Sequence, residues 1–154
     1  MAPGPVTEPK VVAVCVSATK GVAKTPCDSV EAIVGHGIAG DAHAGPWHRQ
    51  VSLLAQASID FMKERGADVG HGSFGENVVV DGLVVHELPV GTLLRLGPDV
   101  TMRVTQIGKE CHSMCAIGQA VGECIMPQRG IFCEIVTAGT IRPGDGIEVV
   151  HDVP

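Results

Sequence analysis

Tyrosine is absent from the sequence, and only one tryptophan and three phenylalanines are present. The core must therefore be built from Val, Ile, Leu, Ala and Met. Long apolar runs are missing too: the longest, Val11 to Val16, falls far short of the roughly 20 residues that span a bilayer. The opening segment MAPGPVTEPK has neither a basic start nor a hydrophobic middle, so it reads as a frayed tail over residues 1–10 and not as a secretory signal. These absences lead to the expectation of a soluble, cytoplasmic protein with no membrane partner. Basic residues are few, 11 against 17 acidic ones for a formal charge of -6. A basic face with interleaved aromatics is lacking, which argues against a nucleic-acid partner. A few local cations still suffice for one small anion.

What the chain does have is aliphatic residues, with 45% of its 154 positions hydrophobic. That is enough for one globular domain, expected over residues 11–150, that folds without disulfides. In a reducing compartment, six cysteines point toward metal, cofactor or redox chemistry more than toward structural bridges.

The expected fold class is mainly β (α+β), a barrel of short mixed and antiparallel strands with one clear helix and short helical segments. VVAVCVS (Val11 to Ser17) is β-branched and reads as a buried strand, and the following ATKGVAKTPCD reads as a loop. VEAIV (Val30 to Val34) suggests a second strand. VSLLAQASIDFMKERG changes period, with Leu54, Ile59 and Met62 suiting a helix of about three turns stopped by Gly66. ENVVVDGL and GTLLRLG read as strands. VTMRVTQ alternates strictly, Val100, Met102 and Val104 against Thr101, Arg103 and Thr105, as a half-buried antiparallel strand does. IFCEIV and GIEVV complete the set, with RPGDG as a tight turn before GIEVV. Closing such a sheet into a barrel would remove its edges.

Three stretches carry chemistry. In GKECHSMCAIGQAVGEC, residues 108–124, Cys111, Cys115 and Cys124 stand with Cys133 in the spacing C-x3-C-x8-C-x8-C. Structural zinc sites bring ligands in as closer pairs, so four-thiolate zinc is the weaker alternative. Cys133 shares a strand face with Ile131 and Ile135 and reads as a buried small hydrophobe, as does Cys15. Cys111 follows a strand end, with Lys109 and His112 placed to stabilise a thiolate and Glu110 opposing them. Cys115 would face the same way if the segment is helical, as a resolving thiol or second ligand.

The second stretch, GIAGDAHAGPWHRQVSLL, clusters Asp41, His43, His48 and Arg49 among glycines. Its histidines are either metal ligands or ordinary surface residues. Arg49 either clamps an oxyanion or pairs with Asp41. In the third, HGSFGENVVVDG, Glu76 and Asn77 either tie down backbone groups or present an amide to a ligand.

Taken in order, GIAGDAHAG, HRQVSLLA, SFGENVVVDGL, LRLG, RVTQIGKEC and GIFCEIVTAGTIRPGDGI resemble the MOSC domain family, named for the C-terminal domain of molybdenum cofactor sulfurases, as a stand-alone bacterial-type member. The resemblance runs from about Val11 to Val150. It implies a strand-rich, barrel-like fold and an association with the molybdenum cofactor (molybdopterin), a pterin dithiolene with a phosphate tail. Cys111 in IGKEC matches the cysteine central to the family. Ser17 and Lys20 fall where relatives place residues near the cofactor phosphate, and Asn77 matches a recurrent asparagine. Reductase relatives carry an arginine just before that asparagine, where this chain has Gly75 and Glu76.

The expected activity is binding of the pterin cofactor, resident or transient, with sulfur carried on Cys111 as a persulfide or the metal bound there. Lys20, Arg49 and Arg129 would offset the anion's charge, with Asp41, His43, Asn77, Lys109 and His112 completing the site. Cys115 or Cys124 would resolve the persulfide. Expected partners are molybdenum cofactor biosynthesis or molybdoenzyme proteins and a cysteine desulfurase-type sulfur donor. The alternatives are a molybdenum-dependent reductase of N-hydroxylated compounds, a carbon-sulfur bond-cleaving enzyme using Cys111, and a zinc- or redox-regulated structural protein.

Overall fold

The computed structural model describes residues 9–19, 23–108 and 130–150. Among them, short strands dominate because apolar β-branched runs alternate with glycine turns. In chain order these are β1 (Lys10–Val16), β2 (Thr25–Cys27), β3 (Val30–Ile33), β4 (Gly37–Ile38), β5 (Val51–Ala55), helix α1 (Gln56–Glu64), β6 (Val78–Asp81), a 3-10 turn (Val85–Glu87), β7 (Leu93–Leu96), β8 (Val100–Ile107), β9 (Ile131–Thr137), β10 (Gly139–Ile141) and β11 (Ile147–Val150). No helix of the described residues is long and apolar enough to cross a membrane.

The main sheet has the order β11-β7-β8-β9-β5-β6-β1-β2, and β10-β3-β4 form a smaller sheet. All neighbours in the main sheet are antiparallel except β5 and β6. A parallel pair needs a crossover, and α1 lies in that connection. The segment expected as one helix from Val51 is thus divided: Val51–Ala55 is strand, and only Gln56–Glu64 is helix. Every residue of β5 is buried. A strand covered on both faces shows no alternation, so its apolar run resembles the start of a buried helix. Gly66 does stop the helix, with φ +93 and its N–H on the Lys63 carbonyl at 3.0 Å.

The two faces of β5, β6 and β1 feed two cores. On one, Val51, Leu53, Val78, Val80, Val11 and Val14 meet the inward residues of β7, β8 and β9 and, from the small sheet, Ile38 and Ile141. On the other, Leu54, Val79, Ala13 and Cys15 pack with Ile59 and Met62 of α1 and with Phe74. Val100, Met102 and Val104 of β8 are fully buried, and so is Cys133 of β9.

The expected barrel does not close: the main sheet is open. Its ends do approach, because Ile147 N–H donates to the Pro9 carbonyl at 2.9 Å, Val11 N–H to Asp145 at 2.8 Å and Gly144 N–H to Val11 at 2.8 Å. The contact yields one bridge, Lys10 with Gly146, and no ladder, since β1 pairs from Val14 onward with β2 instead. β2 lay hidden in a stretch with Pro26, a residue that strands tolerate at edges.

Asn77, fully buried, locks β1 to β5 at the mouth of β6. Its Oδ1 accepts from Ser52 N–H at 2.9 Å, and its Nδ2 donates to the Cys15 carbonyl at 3.1 Å. Its backbone repeats both links, to the Ser52 carbonyl at 2.8 Å and from Cys15 N–H at 2.7 Å. Asn77→Ala strands two buried backbone groups, each worth about 1–3 kcal/mol. The expected loss on chemical denaturation is about 2–6 kcal/mol, and a loss below about 1 kcal/mol would contradict this role.

Candidate functional site

A chain of polar contacts joins three loops: the one after β1, the glycine-rich one before β5 and the FGEN one before β6. It starts at Glu76, whose carboxylate is fully buried and accepts from Gly72 N–H at 2.7 Å and Phe74 N–H at 3.0 Å. Burial raises the Glu76 pKa, and the N–H groups of Gly72, Glu76 itself and Phe74, together with Lys24, only partly offset this. Gly72 in turn accepts from Lys24 N–H at 2.8 Å. Only glycine serves here: φ is +88, and a Cβ would sit 2.0 Å from the Lys24 carbonyl oxygen.

Lys24 then turns inward. Its Nζ donates to Asp41 Oδ1 at 2.8 Å, with side-chain exposures of 1% and 0%. Asp41 also accepts from Ser17 N–H at 3.1 Å on Oδ1 and from His43 N–H at 3.1 Å on Oδ2. Burial would raise the Asp41 pKa, but the hydrogen bond from Lys24 and those from Ser17 and His43 outweigh it and hold the carboxyl below its usual range. Lys24 Nζ lies 3.0 Å from His43 Nδ1 as well. Asp41 therefore pairs with Lys24, and Arg49 goes elsewhere.

Arg49 donates through Nε to Gln106 Oε1 at 3.0 Å, and its guanidinium lies 5.3 Å from the centre of the Phe132 ring. His48 Nε2 reaches the same Gln106 oxygen at 2.9 Å. The Thr105 hydroxyl contacts the His48 carbonyl, and Trp47 Nε1 donates to the His43 carbonyl at 2.7 Å. These contacts staple the GDAHAGPWHRQ loop to the end of β8. Gln106 Nε2 donates onward to the Gly108 carbonyl at 2.7 Å, and Gly108 N–H to Gly130 at 2.6 Å, joining the two ends of the segment that carries Cys111.

Of the residues singled out from sequence, Ser17, Asp41 and His43 lie together, Arg49 sits on the adjoining strand end, and Asn77 is spent on backbone. The Ser17 hydroxyl donates to the Thr19 carbonyl at 2.8 Å, just before Lys20. Lys20, Lys109, Cys111, His112, Cys115 and Arg129 lie outside the described residues. Cys133 and Cys15 are core thiols: burial pushes Cys133 up, and burial followed by the Glu76 charge pushes Cys15 up to about 12. Neither is a nucleophile at neutral pH.

Sequence reading missed Lys24 and Gln106. A loop lysine reads as solvated by default, so Lys24 gave no signal. Gln106 did leave one, since Thr105 and Gln106 are consecutive polar residues ending a strictly alternating strand, and a register shift falls between Val104 and Gln106.

Asp41→Asn leaves the Lys24 ammonium buried without its counter-charge, for an expected cost of about 3–5 kcal/mol at neutral pH. Because the folded pKa of Asp41 is lowered, its contribution is complete above the unfolded value of about 4 and is lost as pH falls through the folded one. The gap between wild type and Asp41→Asn in urea unfolding should therefore shrink on acidification below about pH 4. A gap that widens there would contradict the ion pair.

A MOSC domain family model matches residues 40–148. No match was found among curated protein sequences. Among solved structures, YuaD from Bacillus subtilis superposes with a TM-score of 0.73 at 20% identity, covering 93% of this chain and 96% of that one. YiiM from Geobacillus stearothermophilus gives 0.68 at 18% identity over 93% of this chain and 75% of that one. YiiM from Escherichia coli gives 0.65 at 17% identity, with coverages of 96% and 71%. At these identities the likeness is one of fold. With the family model spanning both the glycine-rich loop and the strands around it, the chain belongs to the MOSC domain family, whose members are associated with the molybdenum cofactor.

Proposed function

We propose that this domain binds the molybdenum cofactor, or a related sulfur-bearing anion, beside Cys111, and that Cys111 carries sulfur as a persulfide or ligates the metal. One observation carries the reading. His48 and Arg49 converge on Gln106 at the point where the chain enters and leaves the Cys111 segment through Gly108 and Gly130. An anion held by the glycine-rich loop would thus lie next to the entry to that segment.

The residues fit such a ligand. Among the described residues, Arg49 uses Nε for Gln106, and its two Nη groups keep four N–H donors for a phosphate or a similar anion. Phe132 beneath the guanidinium fixes its plane. His43 sits on the rim of the same loop, its side chain 34% exposed. Lys20 and Arg129 would add charge. The bound cofactor supplies a soft, sulfur-rich centre, for which a thiolate such as Cys111 is a suitable ligand. With Cys133 buried in the core, a ligand set of all four spaced cysteines would require opening β9.

Elemental analysis and pterin fluorescence of purified wild type and Cys111→Ala test this reading. Molybdenum and pterin should co-purify with wild type and fall at least about tenfold in the variant, the effect of one strong ligand. Stoichiometric zinc without pterin would overturn it. If sulfur is carried, intact-mass analysis of wild type should show one added sulfur that Cys111→Ala lacks. Native-state alkylation provides a further check: Cys15 and Cys133 should stay unmodified while Cys111 reacts, because burial raises both core thiols. Fast labelling of Cys15 or Cys133 would contradict this assignment of reactivity.

A further inference from the structure

We propose that Trp47 is the platform on which the planar ring of the ligand stacks, while Arg49, two residues on, takes its acidic tail. The loop then selects a flat heteroaromatic anion, such as a pterin with a phosphate, over a bare oxyanion. The inference rests on the cofactor reading above and adds to it the residue that would tell the pterin from other anions.

Trp47 stands apart from the packed aromatic side chains. Phe74 is buried in the core beside α1 and Phe132 is buried under Arg49, whereas Trp47 is 40% exposed and belongs to neither core cluster. An exposed apolar residue is ordinary in itself. This one is held in a single orientation. Its Nε1 donates to the His43 carbonyl at 2.7 Å, and its backbone N–H donates to the Gly45 carbonyl at 2.9 Å. Its ring meets the His48 ring close to edge-on, with centroids 6.0 Å apart and planes at 68°. Pro46, just before it, adds a fixed φ. The indole thus has its one polar group satisfied and its π surface turned to solvent. Among the described residues, no ring lies parallel to it and no cation sits over it. An aromatic face that is already fixed costs an incoming ring little ordering entropy.

Contacts carry this face directly into the anion-binding groups. His48, against Trp47, reaches Gln106 Oε1 at 2.9 Å, and Arg49 Nε reaches the same oxygen at 3.0 Å. Two trans peptides separate Trp47 from Arg49, so their Cα atoms lie within about 7.6 Å of each other. One ligand can meet both residues.

The two residues suit chemically different ends of that ligand. Arg49 offers N–H donors in one plane, which match a phosphate. Trp47, with Nε1 already bonded, offers only a flat apolar surface, which matches a conjugated ring. Phosphate or molybdate alone would engage Arg49 and leave the indole without a role.

Trp47 is the sole tryptophan of the chain, so its indole signals in NMR spectra identify themselves. When the protein is saturated anaerobically with purified molybdenum cofactor, the indole ring protons should move upfield, as protons beneath a stacked ring do. Unshifted indole resonances with cofactor bound would overturn the proposal. Affinity is read by equilibrium dialysis, with the pterin quantified by its fluorescence after oxidation. Trp47→Leu should weaken binding at least about tenfold, and Trp47→Phe, which keeps a flat ring but loses the bond to His43, should stay within about threefold of wild type. Equal weakening in both variants would trace the effect to the lost hydrogen bond and overturn the stacking role. Wild-type affinity in Trp47→Leu would overturn it as well. Should either variant fail to fold, the wild-type indole shift still decides. No binding by wild type would instead overturn the proposed function, and this inference with it.

Discussion

A lysine and an aspartate withdrawn from water, Lys24 and Asp41, tie together loops that no strand pairing connects. Each buried charge costs several kcal/mol in lost hydration, and the pair is stable only when the remaining lone pairs and protons find partners. Asp41 meets that condition with the N–H groups of Ser17 and His43, and Lys24 meets it with His43 Nδ1. The geometry of the site follows. Removing either ion leaves the other stranded, so the loop after β1, the loop before β5 and the FGEN loop that anchors Lys24 through Gly72 stand or fall together.

The sheet prepares the ground for this arrangement. β5 lies at the centre, covered on both faces, and the glycine-rich loop before it packs where β8 finishes and β9 begins. Asn77 and Glu76 spend buried polar groups on backbone where β6 begins, which fixes the approach of β1 and of Gly72. The interior is thus apolar strands with a few hydrogen-bonded polar residues, and the half-buried His43 and Arg49 and the exposed His48 hang from them. A site built in this way can keep donors in place without a ligand present to order them.

Much of the fold was legible where one face is wet. β8 announces itself by strict alternation, and β9 places Cys133 in the core by the same rule. β5 did not, because VSLLA is apolar on both faces and only its neighbours decide between strand and helix. The short strands β2, β4 and β10 owe their existence to pairing and not to local preference. In the site, the closeness of Asp41 and His43 was readable from spacing, whereas the partners of Asp41 and Arg49 were not. Lys24 pairs across 17 positions with Asp41, and Arg49 reaches Gln106 across 57, separations that no local pattern encodes.

The central proposal is that Cys111 works beside the loop organised by Lys24 and Asp41. The most direct measurement places a nitroxide label on Cys111, with Cys27, Cys115 and Cys124 replaced by serine, and records paramagnetic broadening of backbone resonances. Residues 41–49 and 105–108 should broaden strongly, while Gly97 and Asp99, in the turn between β7 and β8 at the opposite end of β8, should broaden least. Unbroadened resonances at His43 and Arg49 would contradict it, since Cys111 and the loop proposed to hold the anion would then belong to different sites.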